Sequence, residues 1–148
     1  MKQGFVKVAS ATPRIRVADP VYNAQVICEQ AKEAAEHGAK IVVFPELCIT
    51  GYTCNDLFLQ ELLLEKAKEA LFTIAEETGQ LETLFLVGLP VDKDGRLYNV
   101  AAVLYRGRIL GMIPKKNIPM YAEFYEGRHF TPGEETCLLY TSDAADEE

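Results

Sequence analysis

The stretch Ile41-Val42-Val43-Phe44-Pro45-Glu46 decides the fold of this chain. Its four leading residues are all apolar and come after a predicted helix in the sequence. Such a run is typical of a short, buried parallel strand. Glu46 comes two residues after this run, where the carboxyl ends of strands in an α/β sheet face a ligand crevice. An acid in that position, partly desolvated by an apolar wall, is a candidate general base. Position alone also allows a structural role, in which Glu46 pairs with a nearby base or caps the Asn55/Asp56 turn.

Helical patterns lie on both sides of this run. Asp19-Pro20 predicts a helix start, because an acidic N-cap accepts a backbone N–H and proline is tolerated at the first helical position. This helix is predicted to end at Gly38. A second helix is predicted from about Asp56 to Thr78. Its apolar face is predicted to comprise Leu57, Leu62, Leu63, Ala67, Ala70, Leu71 and Ile74.

The remaining apolar runs complete an α/β pattern. A first strand is predicted around residues 5–9. Three more are predicted after the second helix, at residues 84–89, 100–105 and 109–113. The connections between these last strands are so short that the strands must be antiparallel neighbours. The predicted order is β-α-β-α-β-β-β, an α/β layered fold with a mixed sheet.

The composition is that of a soluble globular protein. Of the 148 residues 49% are hydrophobic and 25% are charged, and the formal net charge of −7 argues against nucleic acid as a partner. No apolar stretch has the length of a membrane span, and residues 1–4 lead into a strand-like run rather than a signal sequence. The four cysteines form no C-x-x-C pair and are predicted to be free thiols. We therefore expect a cytoplasmic protein with no membrane contact.

Two further groups of residues are candidates for a site. Lys115 and Lys116 follow Pro114 at the end of the last predicted strand. Either lysine could stabilise an oxyanion during acyl transfer or be a solvated charge at a sheet edge. Beyond them, aromatic and charged side chains crowd together, which favours a pocket wall or an interface, although a surface helix turn would also explain it. These side chains are Tyr121, Glu123, Phe124, Tyr125, Glu126, Arg128 and His129.

Several other kinds of site have no signature in the sequence. The two histidines stand in no metal-ligand spacing, which predicts that this segment binds no metal. No glycine-rich phosphate loop is present, which predicts no ATP binding in this segment. Cys48 and Cys54 flank Gly51-Tyr52 and could be nucleophiles. Cysteines in an apolar segment are more often buried as small hydrophobic residues, and this is the interpretation that we favour.

The last twelve residues, 137–148, differ from the rest of the chain. They read CLLYTSDAADEE, follow Thr136 without a turn signal, and resemble the translation of a transposase adapter used in DNA library preparation. We therefore interpret residues 1–136 as a partial domain and residues 137–148 as an adapter-derived tail outside the fold. A natural acidic extension is the alternative. If the tail is adapter sequence, we expect the gene to continue beyond Thr136.

Two long motifs resemble a known family. Residues 44–52, Phe-Pro-Glu-Leu-Cys-Ile-Thr-Gly-Tyr, resemble the glutamate motif of the nitrilase (carbon–nitrogen hydrolase) superfamily. Residues 53–58, TCNDLF, resemble the NAD synthetase branch of that superfamily, and residues 114–126 resemble the lysine motif of the same branch. Residues 17–23 agree as well. The resemblance covers residues 4–136.

This resemblance implies both a fold and a catalytic apparatus. The implied fold is the nitrilase-type α-β-β-α sandwich, of which this chain would be a truncated first half. The implied enzyme is a Glu-Lys-Cys amidase, in which Glu46 is the general base. The motif lysine follows proline directly, so the resemblance assigns stabilisation of the tetrahedral intermediate to Lys115 rather than to Lys116.

The resemblance also implies a substrate, partners and cofactors. Tyr52 and Tyr121 match aromatic positions of a glutamine pocket, and Phe124 and Glu126 are assigned to the same substrate-binding wall. The implied reaction is hydrolysis of the glutamine side-chain amide, supplying ammonia for the ATP-dependent amidation of nicotinic acid adenine dinucleotide to NAD. No cofactor is expected in this segment, whereas ATP and Mg²⁺ are expected in a synthetase domain, normally in the same chain. A homo-oligomer is expected for the full-length protein.

One residue that the resemblance requires is missing. The nucleophilic cysteine of the family lies beyond the lysine motif, past Thr136, and none of the four cysteines matches it, because Cys137 falls too early. We therefore predict that the chain as printed does not hydrolyse glutamine. The alternatives are a stand-alone carbon–nitrogen hydrolase acting on another amide and a non-catalytic fragment.

Overall fold

The computed structural model describes residues 4–118, 127 and 129–133. Its element order agrees with the prediction, except that a short 3-10 helix precedes the second α-helix. The elements are β1 (Val8–Ser10), α1 (Pro20–Glu36), β2 (Ile41–Val43), the 3-10 helix (Asn55–Leu59), α2 (Glu61–Glu77), β3 (Leu84–Lys93), β4 (Arg96–Tyr105) and β5 (Arg108–Pro114). Within these residues, no helix combines the length and apolarity needed to cross a membrane.

The strands form one mixed sheet in the order β1-β2-β3-β4-β5. The first two pairs are parallel, with Val42 opposite both Ala9 and Phe85. The last two pairs are antiparallel, with Ala102 opposite both Val87 and Met112. The parallel neighbours are those joined through a helix, and the antiparallel neighbours are those joined by two-residue turns, which can only reverse the chain. The predicted mixed sheet is confirmed.

Both hairpin turns depend on residues with positive φ. Asp94 and Gly95 have φ values of 53° and 76°, and Arg106 and Gly107 have values of 53° and 82°. Positive φ at both central residues defines the type I′ turn, whose twist matches that of two paired strands. Glycine adopts this conformation without strain, so Gly95 and Gly107 fit the second central position of the two turns.

Helix α1 begins and ends where the sequence predicts. The Asp19 carboxylate accepts a hydrogen bond from the backbone N–H of Tyr22 at 3.1 Å, and Pro20 is the first helical residue. After the helix, Gly38 has a φ of 88°, and its N–H donates to the carbonyl of Ala35 at 2.9 Å. A left-handed glycine at this position satisfies a terminal carbonyl and ends the helix.

The second α-helix starts later than predicted. The sequence predicts one continuous helix from Asp56, but the chain is extended at Gln60, with φ −86° and ψ 126°, and α2 begins at Glu61. A tertiary contact accounts for the break. Phe58, in the 3-10 helix, is 3% exposed and packs edge-on against Phe130, with ring centroids 5.0 Å apart. In a single straight helix Phe58 would lie about 140° around the axis from Leu63, outside the buried face of α2.

The predicted apolar face of α2 is correct for five of its residues. Those buried as predicted are Leu63, Ala67, Ala70, Leu71 and Ile74. Leu57 and Leu62 were predicted for the same face but are 38% and 64% exposed. Leu57 lies before the break, and Leu62 lies about 100° around the helix from Leu63.

Strand β1 is shorter and later than predicted. The sequence predicts a strand at residues 5–9, whereas β1 comprises Val8–Ser10 and Phe5 is 78% exposed. The reason is the partner strand. β1 is at the edge of the sheet and pairs with β2, which has three residues, so three positions are paired.

Two clusters of buried side chains join the layers. The larger cluster lies between the helices and one face of the sheet, and its members include Ile27, Ala31, Val42, Leu71, Ile74, Phe85, Val87, Leu104 and Ile109. The smaller cluster joins the turn after β2 to the 3-10 helix, and comprises Leu47, Cys54, Phe58, Leu63, Leu97 and Phe130. Burying one large apolar side chain contributes about 1.5–3 kcal/mol, so these contacts hold both helices on the sheet.

The other face of the sheet is partly open. Burial alternates along the strands, so Val42 is 0% exposed whereas Val43 is 45% exposed. Val43, Leu86, Ala101 and Ile113 lie on this side, where α1 and α2 do not pack, and Ile113 is 38% exposed. We call these four side chains the open face. A contiguous apolar surface of this kind marks an interaction site or an aggregation liability.

We predict that the printed chain, expressed alone, self-associates through the open face. Replacing Val43 and Ile113 by threonine should raise the monomer fraction, because threonine keeps the β-branched shape but removes apolar surface. Light scattering after size exclusion measures this fraction. Val21→Thr on α1 is the control, since Val21 is 63% exposed but lies on a helix. A monodisperse wild-type monomer with a sharp cooperative melt would contradict the prediction.

Candidate functional site

The turn after β2 directs Glu46 to the carboxyl end of the sheet. Phe44 extends the strand pairing, with its N–H donating to the carbonyl of Leu86 at 2.9 Å. The chain then folds back on itself, because the N–H of Gly51 donates to the carbonyl of Leu47 at 2.7 Å. Leu47 has a φ of 54°, an unfavourable value for leucine, and its side chain is fully buried in the smaller cluster. The buried leucine side chain therefore stabilises the strained turn that carries Glu46.

Gly88 on β3 holds this turn against the sheet. A Cβ atom at this position would lie 2.4 Å from the backbone N of Leu47 and 3.0 Å from the carbonyl oxygen of Pro45. The carbonyl of Gly88 accepts the N–H of Ile49 at 3.1 Å. Only glycine permits so close an approach of two backbones.

Lys115 follows β5 directly, and its backbone is fixed on both sides. Its N–H donates to the carbonyl of Asn99 on β4 at 2.8 Å. Its carbonyl accepts the N–H of Gly133 at 2.8 Å. These bonds hold the start of the lysine side chain at the same edge of the sheet as Glu46.

Three polar side chains meet at this edge. The Nζ atom of Lys115 lies 2.7 Å from Oε1 of Glu46, although the two residues are 69 positions apart in the sequence. The Nδ2 atom of Asn99 donates to the same Oε1 at 2.6 Å. Asn99 is 3% exposed, whereas the side chains of Lys115 and Glu46 are 30% and 42% exposed. The Glu46 carboxylate is therefore partly shielded from water, as expected from its place beside apolar residues.

The polar group opens into a cleft of about 310 Å³ on the open face. Its apolar lining includes Val43, Phe44, Leu86, Ala101 and Ile113. An apolar cleft with a few convergent polar groups is the usual form of a small-molecule site. A larger groove of about 700 Å³ lies between α1 and α2, but its charged side chains, such as Lys32 and Glu77, form an exposed ion pair of 3.4 Å. We therefore take the cleft at Glu46 as the candidate site.

The structure describes only one of the four predicted substrate-binding residues, Tyr52. Tyr52 is half-buried and packs against the smaller cluster, and the described residues that line the cleft do not include it. Its role stays a prediction. Tyr121, Phe124 and Glu126 lie outside the residues that the structure describes, and their roles also stay predictions.

Two features of this region were missed from the sequence. Asn99 is a polar residue within the apolar run of β4, and this interruption is the signal that could have indicated it. The second feature is the contact of His129 with Asp56, in which Nε2 and Oδ1 are 3.1 Å apart. The His129 ring also lies 5.9 Å from the Phe58 ring. These contacts join the 3-10 helix, which follows Glu46 in the sequence, to the segment around His129, which follows Lys115.

The cysteines in the described residues are buried free thiols, as predicted. Cys48 and Cys54 are 1% and 3% exposed. Burial raises the pKa of the Cys48 thiol to about 11, and burial also raises the pKa of Cys54. A thiol whose pKa is near 11 is about 0.1% thiolate at pH 8, which is unsuited to nucleophilic attack. Cys137 lies outside the described residues. Among those residues, no group of three or more acids, histidines and cysteines could hold a metal ion.

Comparisons with known proteins show what this chain is similar to. A family model described as carbon–nitrogen hydrolase matches residues 7–143. The glutamine-dependent NAD(+) synthetase of Mycobacterium bovis is 39% identical over 133 residues, which make up 90% of this chain and 20% of that protein. The chain thus spans about a fifth of the length of this relative.

Solved structures are similar in fold. The crystal structure of a glutamine-dependent NAD(+) synthetase from Cytophaga hutchinsonii superposes with a TM-score of 0.84 and 30% identity, covering 91% of this chain and 23% of that chain. A mutant amidase from Nesterenkonia sp. AN1 superposes with a TM-score of 0.73 and 25% identity, covering 88% and 49%. In that amidase, the acetamide moiety of fluoroacetamide has added at the active-site cysteine.

We predict that Gly88→Ala destabilises the protein by at least about 2 kcal/mol, because the added methyl group meets backbone atoms that cannot move away. Urea unfolding followed by circular dichroism measures the change. Gly79→Ala is the matched control, since its Cβ would lie 3.2 Å from its nearest neighbour, the carbonyl oxygen of Glu76. An equal decrease in the free energy of unfolding of both variants would show that the close contact of Gly88 with the turn does not cause the destabilisation.

We predict that Cys48 and Cys28 resist alkylation in the folded chain. Burial raises the pKa of both thiols to about 11, so each remains protonated, and shielded from reagent, at pH 8. Iodoacetamide treatment followed by peptide mass spectrometry should show modification at least about 100-fold slower than in unfolded chain. Equal rates in native buffer and in guanidinium chloride would show that these thiols are accessible.

Proposed function

This chain belongs to the carbon–nitrogen hydrolase family, and we propose that it is the front part of the glutaminase domain of a glutamine-dependent NAD(+) synthetase. The proposed reaction is hydrolysis of the glutamine side-chain amide. The ammonia released would serve the ATP-dependent amidation of nicotinic acid adenine dinucleotide to NAD. The observation that carries the proposal is the contact of Glu46 with Lys115 at 2.7 Å in an apolar cleft, which unites the glutamate and lysine motifs.

In the proposed reaction, Glu46 is the general base. It takes the proton of a cysteine thiol supplied by sequence beyond the described residues, and the sulfur attacks the amide carbon of glutamine. Lys115 stabilises the negative charge that develops on the carbonyl oxygen. The carbon–nitrogen bond then breaks, the nitrogen leaves as ammonia with the proton returned from Glu46, and water hydrolyses the glutamyl thioester to glutamate.

The rest of the proposed enzyme lies outside this chain. Curated relatives are glutamine-dependent NAD(+) synthetases of which this chain covers about a fifth. We propose that the synthetase domain follows in the same polypeptide and binds ATP and Mg²⁺. Homo-oligomer formation, a cytoplasmic location and the roles of Tyr52, Tyr121, Phe124 and Glu126 in binding glutamine belong to the same proposal.

A stand-alone amidase is the second candidate. The observation that favours it is the TM-score of 0.73 to the Nesterenkonia amidase, of which this chain covers 49%. The higher TM-score of 0.84 and identity of 30% to the Cytophaga synthetase favour the synthetase. The complete source gene distinguishes the two, because an amidase gene would end after a single hydrolase domain. A gene that continues without a cysteine after the lysine motif would support the third interpretation, a non-catalytic protein.

We predict that Glu46→Gln and Lys115→Met, made in the protein encoded by the complete source gene, strongly lower the rate of glutamine-dependent NAD synthesis. Loss of the general base should lower kcat about 10²–10⁴-fold. Ammonium salts should still support NAD synthesis in both variants, since they bypass amide hydrolysis. The printed chain alone should release no ammonia from glutamine above a cysteine-free control, because it lacks the proposed nucleophile.

The control variants are Glu82→Gln and Lys32→Met. Each removes one member of an exposed ion pair, Glu82 with Arg106 and Lys32 with Glu77, and none of these residues lines the cleft. Both should keep glutamine-dependent synthesis within about twofold of wild type, as surface ion pairs contribute little. Full glutaminase activity in Glu46→Gln would refute the assigned base, and ammonia release by the printed chain would refute its predicted inactivity.

A further inference from the structure

We infer that Asn99 is a positioning residue, which orients the Glu46 carboxylate so that Oε2 receives the proton of the nucleophile. This inference rests on the proposed function for its kinetic consequence. Asn99 belongs to neither of the two sequence motifs, and its contact with Glu46 spans 53 residues.

Both donors in the cleft bind the same oxygen of Glu46. Lys115 Nζ lies 2.7 Å and Asn99 Nδ2 lies 2.6 Å from Oε1. Oε2 accepts no hydrogen bond from any described residue. A carboxylate oxygen that already accepts two short hydrogen bonds has little remaining capacity for a third proton donor. Oε2 is therefore the oxygen that can act as the base.

Asn99 is the rigid one of the two donors. It is 3% exposed, lies within β4 opposite Pro90, and uses its own carbonyl to hold the backbone N–H of Lys115 at 2.8 Å. Asn99 thus contacts Glu46 through its side chain and Lys115 through its backbone. Any displacement of Asn99 would move both charged residues together.

Lysine alone would orient the carboxylate less well. The Lys115 ammonium is a point charge on a flexible four-carbon stem, and its side chain is 30% exposed. An ammonium can be satisfied by either carboxylate oxygen, so rotation of the carboxylate would keep the ion pair. The planar amide of a buried asparagine donates in one direction, which selects one carboxylate orientation. The amide also stays neutral at working pH and does not compete for the proton.

The experiment uses the protein encoded by the complete source gene and the variants Asn99→Leu and Asn99→Ser. Leucine keeps the volume but removes the donor, and serine is too short to reach Glu46. Each variant should lower the glutaminase kcat about 100-fold and leave KM for glutamine within about threefold, because orientation of the base affects the chemical step more than substrate binding. In their crystal structures the Glu46 carboxylate should be rotated while β4 is unchanged.

The matched control is Thr83→Val, just before β3, which removes a buried hydrogen bond of 2.8 Å from the Thr83 hydroxyl to the carbonyl of Ala39. It should keep kcat within about twofold, so general loss of packing is separated from loss of orientation. If Asn99→Leu does not fold, Asn99→Ser decides. A kcat within about threefold of wild type in the folded variants, or an unmoved Glu46 carboxylate, overturns the inference. If the wild-type protein lacks glutaminase activity, the proposed function fails, and the crystal structures alone decide on the positioning.

Discussion

The close backbone contact between Gly88 and the turn after β2 determines where the candidate site lies. Because Gly88 has no Cβ, the backbone of Leu47 can approach β3 to a distance that any side chain would prevent. The contact and the buried Leu47 side chain together stabilise a strained residue with φ 54°. This turn after β2 places Glu46 over the end of the sheet. The position of the acid is therefore a property of the backbone rather than of its own side-chain contacts.

The second half of the site depends on the antiparallel part of the sheet. Pairing of β4 with β5 brings Asn99 next to Lys115, and pairing of β3 with β4 brings Asn99 next to Glu46. The parallel part of the sheet supplies the acid, and the antiparallel part supplies both donors. A mixed sheet is thus needed to assemble the group, because no single strand carries two of these residues side by side.

The cleft and the open face are one surface. Val43, Leu86, Ala101 and Ile113 form the apolar side of the sheet and also line the cleft that contains Glu46. Any segment or partner that packed on the open face would therefore also close the cleft. Enclosure would exclude water and strengthen the electrostatic contacts among Glu46 and its two donors. The apolar surface that favours self-association is therefore also the wall of the candidate site.

Local patterns determined the element order, the capped start of α1 at Asp19, the two hairpin turns and the place of Glu46 after a buried strand, because each depends on residues close together in the chain. They could not predict the break at Gln60, which depends on the packing of Phe58 against Phe130. The sequence by itself thus determined the fold class and, through its motifs, the family and the candidate residues Glu46 and Lys115. Only the tertiary structure decided that Asn99 joins them, because a hydrogen bond across 53 residues leaves no trace in local periodicity.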